Sequence, residues 1–299
     1  MKETNPRSRW TEFAIETLIR VMGFSTVGFV LLIFLFLLRE GVSIFFEVPP
    51  GELFGTRWYP TFDLFGTLPL IFGSVLVTVT AIVIALPLGV ATAVFVREVA
   101  PSWAREILKP MIEVLSGIPS VVLGFFGMTL VAPFIREKLG APTGLTAFTG
   151  ALLLAYMALP TIISVAEDAL DAVPKSYRDA GLAMGATQWQ TIWRVVVPAA
   201  RSGILTAVML GMGRAIGETM AVMMVTGNAA RMPLTFDSLF RPARTMTATI
   251  AAEMGEVAQG STHYHALFGI GIVLFILTFI INLAAASVIF QKRRRGGLR

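Results

Sequence analysis

The chain has 299 residues, of which 55% are hydrophobic and only 14% charged, with a mean hydropathy of +0.75. Soluble globular domains carry about 25% charged residues, so the default class is an integral membrane protein. A formal charge of +5 does not mark a nucleic-acid binder, because the basic residues sit in short loops and tails, and the lack of cysteine excludes disulfides and thiolate metal sites.

Residues 1–18 form a polar N-terminal segment. Residues 21–38, VMGFSTVGFVLLIFLFLL, carry no charge. This run is longer than the 7–15 residues typical of a cleavable signal, and no small-x-small site follows. It therefore predicts a retained first span over 19–38. A helix needs about 20 apolar residues to cross a bilayer. By that measure, further spans are predicted over 68–96, 111–134, 145–166, 202–227 and 266–290. The second contains Pro87, which predicts a tilt or kink. The third has Glu113 near its start and the SGIPS sequence at 116–120, which allows an interrupted helix. The whole of 19–290 is thus read as one all-α, six-helix transmembrane domain, followed by a basic tail at 291–299.

Six spans place both termini on one side. Counting lysine and arginine, the N-terminal segment (through Arg20), the 97–110 loop, the 167–201 loop and the tail carry 16. The opposite side carries 7, and Arg214 lies within a span. The positive-inside rule makes the richer side cytoplasmic. Two segments outside the membrane stand out by length: a cytoplasmic one at about 167–200 and an extracytoplasmic one at about 228–265. Within the latter, TATIAAEMGEVA predicts a short helix, with Glu253 and Glu256 on a solvated face or as rim contacts. His263 and His265 are the only histidines. A pair spaced by two is too few ligands for a metal site, and none is assigned.

The cytoplasmic segment opens polar, with Pro174 able to start a helix. Trp189, Ile192, Trp193 and Val196 then recur at helical spacing. Two readings fit: an exposed short helix followed by an amphipathic one entering the membrane, or a loop on lipid headgroups with tryptophan anchors. The stretch RDAGLAMGATQWQTIWRVVVPAA resembles the EAA loop of ABC-importer permeases. Asp179-Ala180-Gly181 stands at the acidic-Ala-Ala position, Gly185 at the glycine and Val197-Pro198 at the hydrophobic-Pro pair. The first and third residues of the triplet depart from that pattern, conservatively in charge or size. The resemblance implies a coupling helix that docks into a groove on an ATPase subunit. The small residues Ala180, Gly181, Ala183, Gly185 and Ala186 suit close approach by such a partner.

The fifth predicted span reads GMGRAIGETMAV at 211–222, with Arg214 near its middle. An arginine at that depth costs about 2.5–3.5 kcal/mol on insertion scales, so it must face water or a partner. Glu218, four residues on, projects from the same face of a continuous helix. The pair can be an ion pair holding helices together, or a functional site, or each in turn. Gly213 and Gly217 form a GxxxG strip suited to helix packing. GMGRAIG is not a phosphate-binding loop, since no Gly-Lys-Ser/Thr follows and no strand precedes it. A guanidinium binds oxyanions through a planar fork and stays charged, so an anion path is the natural inference.

Three segments, GMGRAIGETMAVMMVTGN (211–228), EVLSGIPSVVLGFFG (113–127) and GTLPLIFGSVLVTVTAIVIALPLGVATAVFVREVAP (66–101), resemble the C-type membrane subunit of bacterial phosphate importers. The likeness covers most of the chain. It implies the type I ABC importer permease fold in a bacterial inner membrane, with Arg214 and Glu218 on the substrate path. It also implies an A-type permease, two ATPase subunits and an extracytoplasmic phosphate-binding protein as partners. ATP and Mg would be bound by the ATPase subunits, leaving this chain no cofactor and no catalytic role of its own. Alternatives are a permease for another oxyanion such as sulfate, molybdate or phosphonate, a stand-alone secondary transporter, or an intramembrane enzyme. A secondary transporter predicts inverted repeats, which are not visible. An enzyme would need paired catalytic groups at one depth, and only Arg214 and Glu218 are candidates.

Overall fold

The structure is a computed structural model that describes residues 6–296. Residues 1–5 and 297–299, the outer parts of the predicted N-terminal segment and basic tail, lie outside the described residues. The chain is almost entirely helical. It opens with α1 (Pro6–Gly41), two single turns, α2 (Ile44–Glu47) and α3 (Pro50–Leu53), and a small antiparallel hairpin of β1 (Trp58–Tyr59) and β2 (Leu64–Phe65). α4 (Leu68–Val94) continues into a π-helical turn at Phe95–Val99. Next come α5 (Ser102–Ser116), α6 (Ser120–Phe126), a second π turn at Gly127–Val131, and α7 (Ala132–Leu139). α8 (Ala147–Asp171) leads to the segment with α9 (Lys175–Ala183) and α10 (Gln188–Thr191). A third π turn, Ile192–Val196, joins α11 (Val197–Gly217); α12 (Met220–Val225), α13 (Met246–Glu253) and α14 (Thr262–Gly296) complete the chain.

Among the described residues, six helices are long and apolar enough to span a bilayer: Glu12–Glu47, Leu68–Val99, Ser120–Leu139, Ala147–Asp171, Gln188–Gly217 and Thr262–Leu283. Several boundaries differ from expectation, the fifth span beginning at Gln188 where the sequence predicts 202, and two further differences shape the site. The third span begins at Ser120, because Gly117–Pro119 ends α5. The residues before the break form a separate amphipathic helix. Its apolar residues Trp103, Ile107, Met111 and Val114 are exposed, while Arg105 and Lys109 reach the bundle. The fifth span is not continuous over 202–227. It ends at Gly217, and Glu218 takes an extended conformation before α12 begins.

α8 is the axis of the bundle: 61% of its most apolar stretch is buried, against none for the first span. Lipid tails are as apolar as leucine, so helices in a membrane associate through close packing of small residues. Ala81 and Ala85 of α4 meet Ala151, Ala155 and Ala158 of α8 in one buried cluster, with Val208 and Ala215 of α11. Ile162 is the key knob. A Cβ at Gly89 would sit 2.7 Å from its Cγ2, and one at Gly211 would sit 2.5 Å from its Cγ1. The two glycines thus open slots on α4 and α11 for one α8 side chain. Pro87 lies inside α4 without ending it.

At the periphery, α1 rides on α14. Gly41 abuts Ile272 and Phe268, and Phe34 stacks on Phe275 with centroids 4.5 Å apart. The cap at the end of the bundle opposite α9, expected to be extracytoplasmic, is a second core, where Trp58, Phe65, Leu70, Met246, Leu267 and Ile270 are buried together. The helix expected in TATIAAEMGEVA is α13, with Thr245 accepting from the Ala248 amide as its N-cap.

Candidate functional site

α11 stops at Gly217, which puts Arg214 in its last turn. There the unpaired carbonyls of a helix C-terminus favour a cation. Its guanidinium reaches out from the bundle and is exposed in the isolated chain. Nη1 donates to Thr161 Oγ1 at 3.3 Å, and Nη2 donates to the Ser116 carbonyl at 3.4 Å. Thr161 lies near the middle of α8, so the arginine is at mid-span depth although it ends a helix. Ser116 is the last residue of α5, just before the Gly117–Pro119 break. Both bonds are long, and among the described residues no carboxylate lies within ion-pair distance of Arg214.

Glu218 does not share a helix face with Arg214, as a continuous helix would require. Its backbone leaves helical geometry (φ −68°, ψ 131°). Its carboxylate Oε1 instead accepts from the Ala221 amide at 3.3 Å, and its carbonyl accepts from Thr247 Oγ1 at 3.0 Å. It acts as a cap for α12 and ties that helix to α13. Gly213 and Gly217 make no packing contact within the chain: a Cβ at either would meet nothing within 4 Å. With Leu210 and Arg214 they form one exposed face of α11. The two interrupted spans pack on each other, since a Cβ at Gly124 of α6 would lie 2.8 Å from Met224 Sδ and 3.0 Å from Ala221 Cα of α12. Irregular backbone at membrane depth is tolerated where protein buries it or a cavity adjoins it. The breaks after α5 and α11 thus lie beside Arg214, a cation with no carboxylate partner among the described residues.

Between α8 and α11, the predicted exposed helix is α9, and it buries none of its residues. Its end is a Schellman turn. Gly185 N–H donates to the Leu182 carbonyl and Ala186 N–H to that of Gly181. This turn needs Gly185 at φ +79°, so the glycine serves the backbone as well as close approach. Gly181 also works inside the chain, because a Cβ there would press 3.0 Å from Thr191 Oγ1. Asp179 and Ala180 lie on the exposed helix. A shallow groove of about 560 Å³ runs between α9 and the following helix, bordered by Tyr177, Ala180, Gly181, Met184, Gln190 and Arg194. Met184 at its lip is 88% exposed. Pro198 sits in the first turn of α11, directly after the π turn.

Thr187 starts α10 with a capping box: it accepts from Gln190 N–H, and Gln190 Oε1 accepts from its own amide. The Thr-x-x-Gln spacing is a readable signal for this. The predicted amphipathic stripe divides. Ile192 and Val196 are buried, while Trp189 and Trp193 are exposed and pack edge to face at 5.6 Å.

An ionic belt fastens this side together, and none of it was evident from local sequence. Arg178 pairs with Glu98 at 2.6 Å, Arg97 pairs with Asp171, and Lys109 pairs with buried Glu167 at 2.8 Å. The hydrogen bond from Glu167 raises the Lys109 ammonium above its ordinary value of 10.5. Similarly, Glu98 raises the Arg178 guanidinium above its usual range. Arg105 adds bonds to the Val96 and Arg97 carbonyls. These partners are 58 to 80 residues apart for Lys109–Glu167 and Arg178–Glu98, so their pairing depends on the tertiary fold.

Glu253, at the opposite end of the bundle from α9, is not on a solvated face. Its carboxylate accepts from Trp58 Nε1 at 3.2 Å and pairs with Arg244 at 2.6 Å and His263 Nε2 at 2.8 Å. His265 meets Glu47 at 2.5 Å. Both histidines thus bind carboxylates, and no group of metal-ligating residues forms among the described residues. Glu256 and Glu113 are exposed.

Residues 85–296 match the family model described as "Binding-protein-dependent transport system inner membrane component". The chain is 44% identical over 245 residues to the probable ABC transporter permease protein YqgH of Bacillus subtilis, covering 81% of this chain and 77% of that protein. It is 38% identical over 259 residues to the phosphate transport system permease protein PstC of Mesorhizobium japonicum, covering 80% and 78%. Among solved structures it resembles a bacterial alginate ABC transporter chain with a TM-score of 0.64 at 15% identity, covering 92% of this chain and 95% of that one. A chain of the MetNI methionine ABC transporter in an inward-facing conformation gives a TM-score of 0.59 at 20% identity, covering 79% and 99%. At these identities the structural likeness shows the fold.

Proposed function

The chain belongs to the family of inner membrane components of binding-protein-dependent transport systems, and from that premise we infer that this importer permease carries phosphate. The observation that carries this reading is Arg214: an unpaired, exposed guanidinium at mid-span depth, beside two broken helices. A fixed cation there would hold a tetrahedral oxyanion through a planar fork. Binding must be strong enough to admit the anion and weak enough to release it. The relatives named for phosphate transport support phosphate over other oxyanions.

On this reading the exposed strip of Leu210, Gly213, Arg214 and Gly217 faces a second, homologous permease of the A type, and the path runs between the two. Two ATPase subunits bind ATP and Mg and dock on α9, with Asp179, Ala180 and Gly181 at the contact and Gly185 holding its end. A phosphate-loaded binding protein docks on the extracytoplasmic cap. Both termini lie in the cytoplasm, in keeping with the distribution of positive charge. Closure and reset of the ATPases would rock the two permeases as rigid bodies and open the path to each side in turn.

The test is uptake of labelled phosphate by the reconstituted complex, with sulfate added in excess. Phosphate uptake that sulfate does not reduce is expected. Sulfate uptake at the same rate would overturn phosphate as the substrate.

A further inference from the structure

Because α9 buries none of its residues, apolar packing does little to hold it against the bundle. Two contacts fasten it. One is local: Gly181 leans on Thr191, at the start of the fifth span. The other is long-range and runs through a single side chain. Arg178 donates to both carboxylate oxygens of Glu98, at 2.6 and 3.2 Å, and to the carbonyls of Val173 and Leu170 at 2.7 and 3.0 Å.

This pair differs from an ordinary surface salt bridge such as Arg20–Glu16, whose side chains are more than 60% exposed. The Arg178 and Glu98 side chains are only 19% and 9% exposed, so water cannot readily replace either partner. A bidentate fork also fixes orientation, where a lysine would act as a point charge. Glu98 lies in the π turn that ends the second span. The same turn is tied to the end of α8 by Arg97–Asp171 and to α5 by Arg105. From that turn α4 runs through the core to the extracytoplasmic cap. There Gly73 comes so close to the Arg244 carbonyl that an added Cβ would lie 2.2 Å from its oxygen.

We propose that Arg178–Glu98 is the positioning link that delivers displacement of α9 to the second span, so that motion of the docking helix moves the path instead of flexing the loop. The link rests on the reading that α9 docks an ATPase. Without it, α9 remains attached through Thr191 and through the Arg178 bonds to the Leu170 and Val173 carbonyls, and can still bind its partner. Only the long 3.5 Å bond from Gln188 to the Glu98 carbonyl then still joins this segment directly to the turn of the second span, and much less of its movement reaches α4.

The experiment uses the complete reconstituted complex with its binding protein, and measures three things: retention of the ATPase subunits, stimulated ATP hydrolysis, and phosphate transported per ATP. Glu98→Gln is expected to retain the ATPases and hydrolyse ATP while phosphate per ATP falls at least about tenfold, equivalent to about 1.4 kcal/mol of lost coupling. The exchanged pair Glu98→Arg with Arg178→Glu is expected to recover much of the ratio. A ratio within about twofold of the parent (under 0.5 kcal/mol) in Glu98→Gln would overturn the link. If that complex does not assemble, Glu98→Asp decides by the same ratio: a lowered ratio supports the link and an unchanged one overturns it. Docking is read separately by cross-linking from Met184→Cys, the sole cysteine in such a chain, to the ATPase. Failure of that cross-link overturns docking on α9 whatever the ratio shows.

Discussion

Arg214 donates to the carbonyl oxygen of Ser116 across 98 residues of chain, at 3.4 Å. The contact joins the last turn of α11, where the fifth span ends, to the end of α5, just before the third span begins. It is weak by geometry and uses only part of the guanidinium's donor set. The arginine is therefore held in place but not satisfied, which is the state expected of a group that receives a passing anion.

Replacing Arg214 with Gln should take phosphate uptake to background while the complex assembles normally. The stability change should be within about 0.5 kcal/mol, as for exposed positions away from structural features. Arg214→Lys should retain partial uptake, since the charge stays and the fork is lost. Uptake at the parental rate in Arg214→Gln, measured with the complex in liposomes, would remove the arginine from the path.

Glu218 separates charge from capping. Glu218→Gln keeps an acceptor for the Ala221 amide and should leave both melting and uptake near parental values. Glu218→Ala deletes the cap and should cost about 1 kcal/mol, the usual effect of losing a capping side chain. Thermal unfolding in detergent gives the stability, and uptake gives the function. A complete loss of uptake in Glu218→Gln would show that the negative charge itself acts on the substrate.

Gly185 tests the proposed docking role of α9 through its backbone. An alanine there must adopt φ +79°, at about 1–2 kcal/mol for an L-residue in the left-handed region. Gly185→Ala should unwind the end of α9 and lower phosphate transported per ATP, with bulkier residues doing more. Parental coupling in Gly185→Ala and Gly185→Leu, from paired hydrolysis and uptake assays, would mean that the end of α9 does not meet the ATPase.

Glycines at two depths should behave oppositely. Gly73→Ala drives a Cβ to 2.2 Å from the Arg244 carbonyl oxygen and should destabilise by at least the 1–3 kcal/mol typical of overpacking, about the range for an inserted methyl. Gly213→Ala meets open space and should be neutral or stabilising by up to about 1 kcal/mol in its helix. Gly213→Leu should leave the isolated chain folded yet reduce its recovery with the second permease. Pull-down of the second permease checks this, and full recovery would place the Gly213 face against lipid.

Glu253 anchors the cap around Trp58, and its removal strands Arg244 and His263 with little access to water. Glu253→Ala should cost about 3 kcal/mol or more, as when one partner of a buried ion pair is deleted. Thermal unfolding in detergent reads the loss. A cost under about 1 kcal/mol, the range of exposed ion pairs, would mean that water reaches the cluster.

Much of this molecule is determined by the sequence alone. Apolar runs of bilayer length set the number of spans, because a segment in lipid must satisfy its backbone internally and so must be helical. The SGIPS break and the short helices α9 and α10 are legible because proline, glycine and capping residues act over one or two turns. The tertiary structure decided what depends on distant partners. Extended backbone at Glu218 breaks a run that reads as continuous helix, and so separates Glu218 from Arg214. The pairing of Glu98 with Arg178, and of Glu253 with Arg244 and His263, joins charges that read locally as loop or solvated surface. Hydropathy and period report each residue's immediate surroundings, whereas a salt bridge across 80 residues forms only once helix packing has brought both ends together.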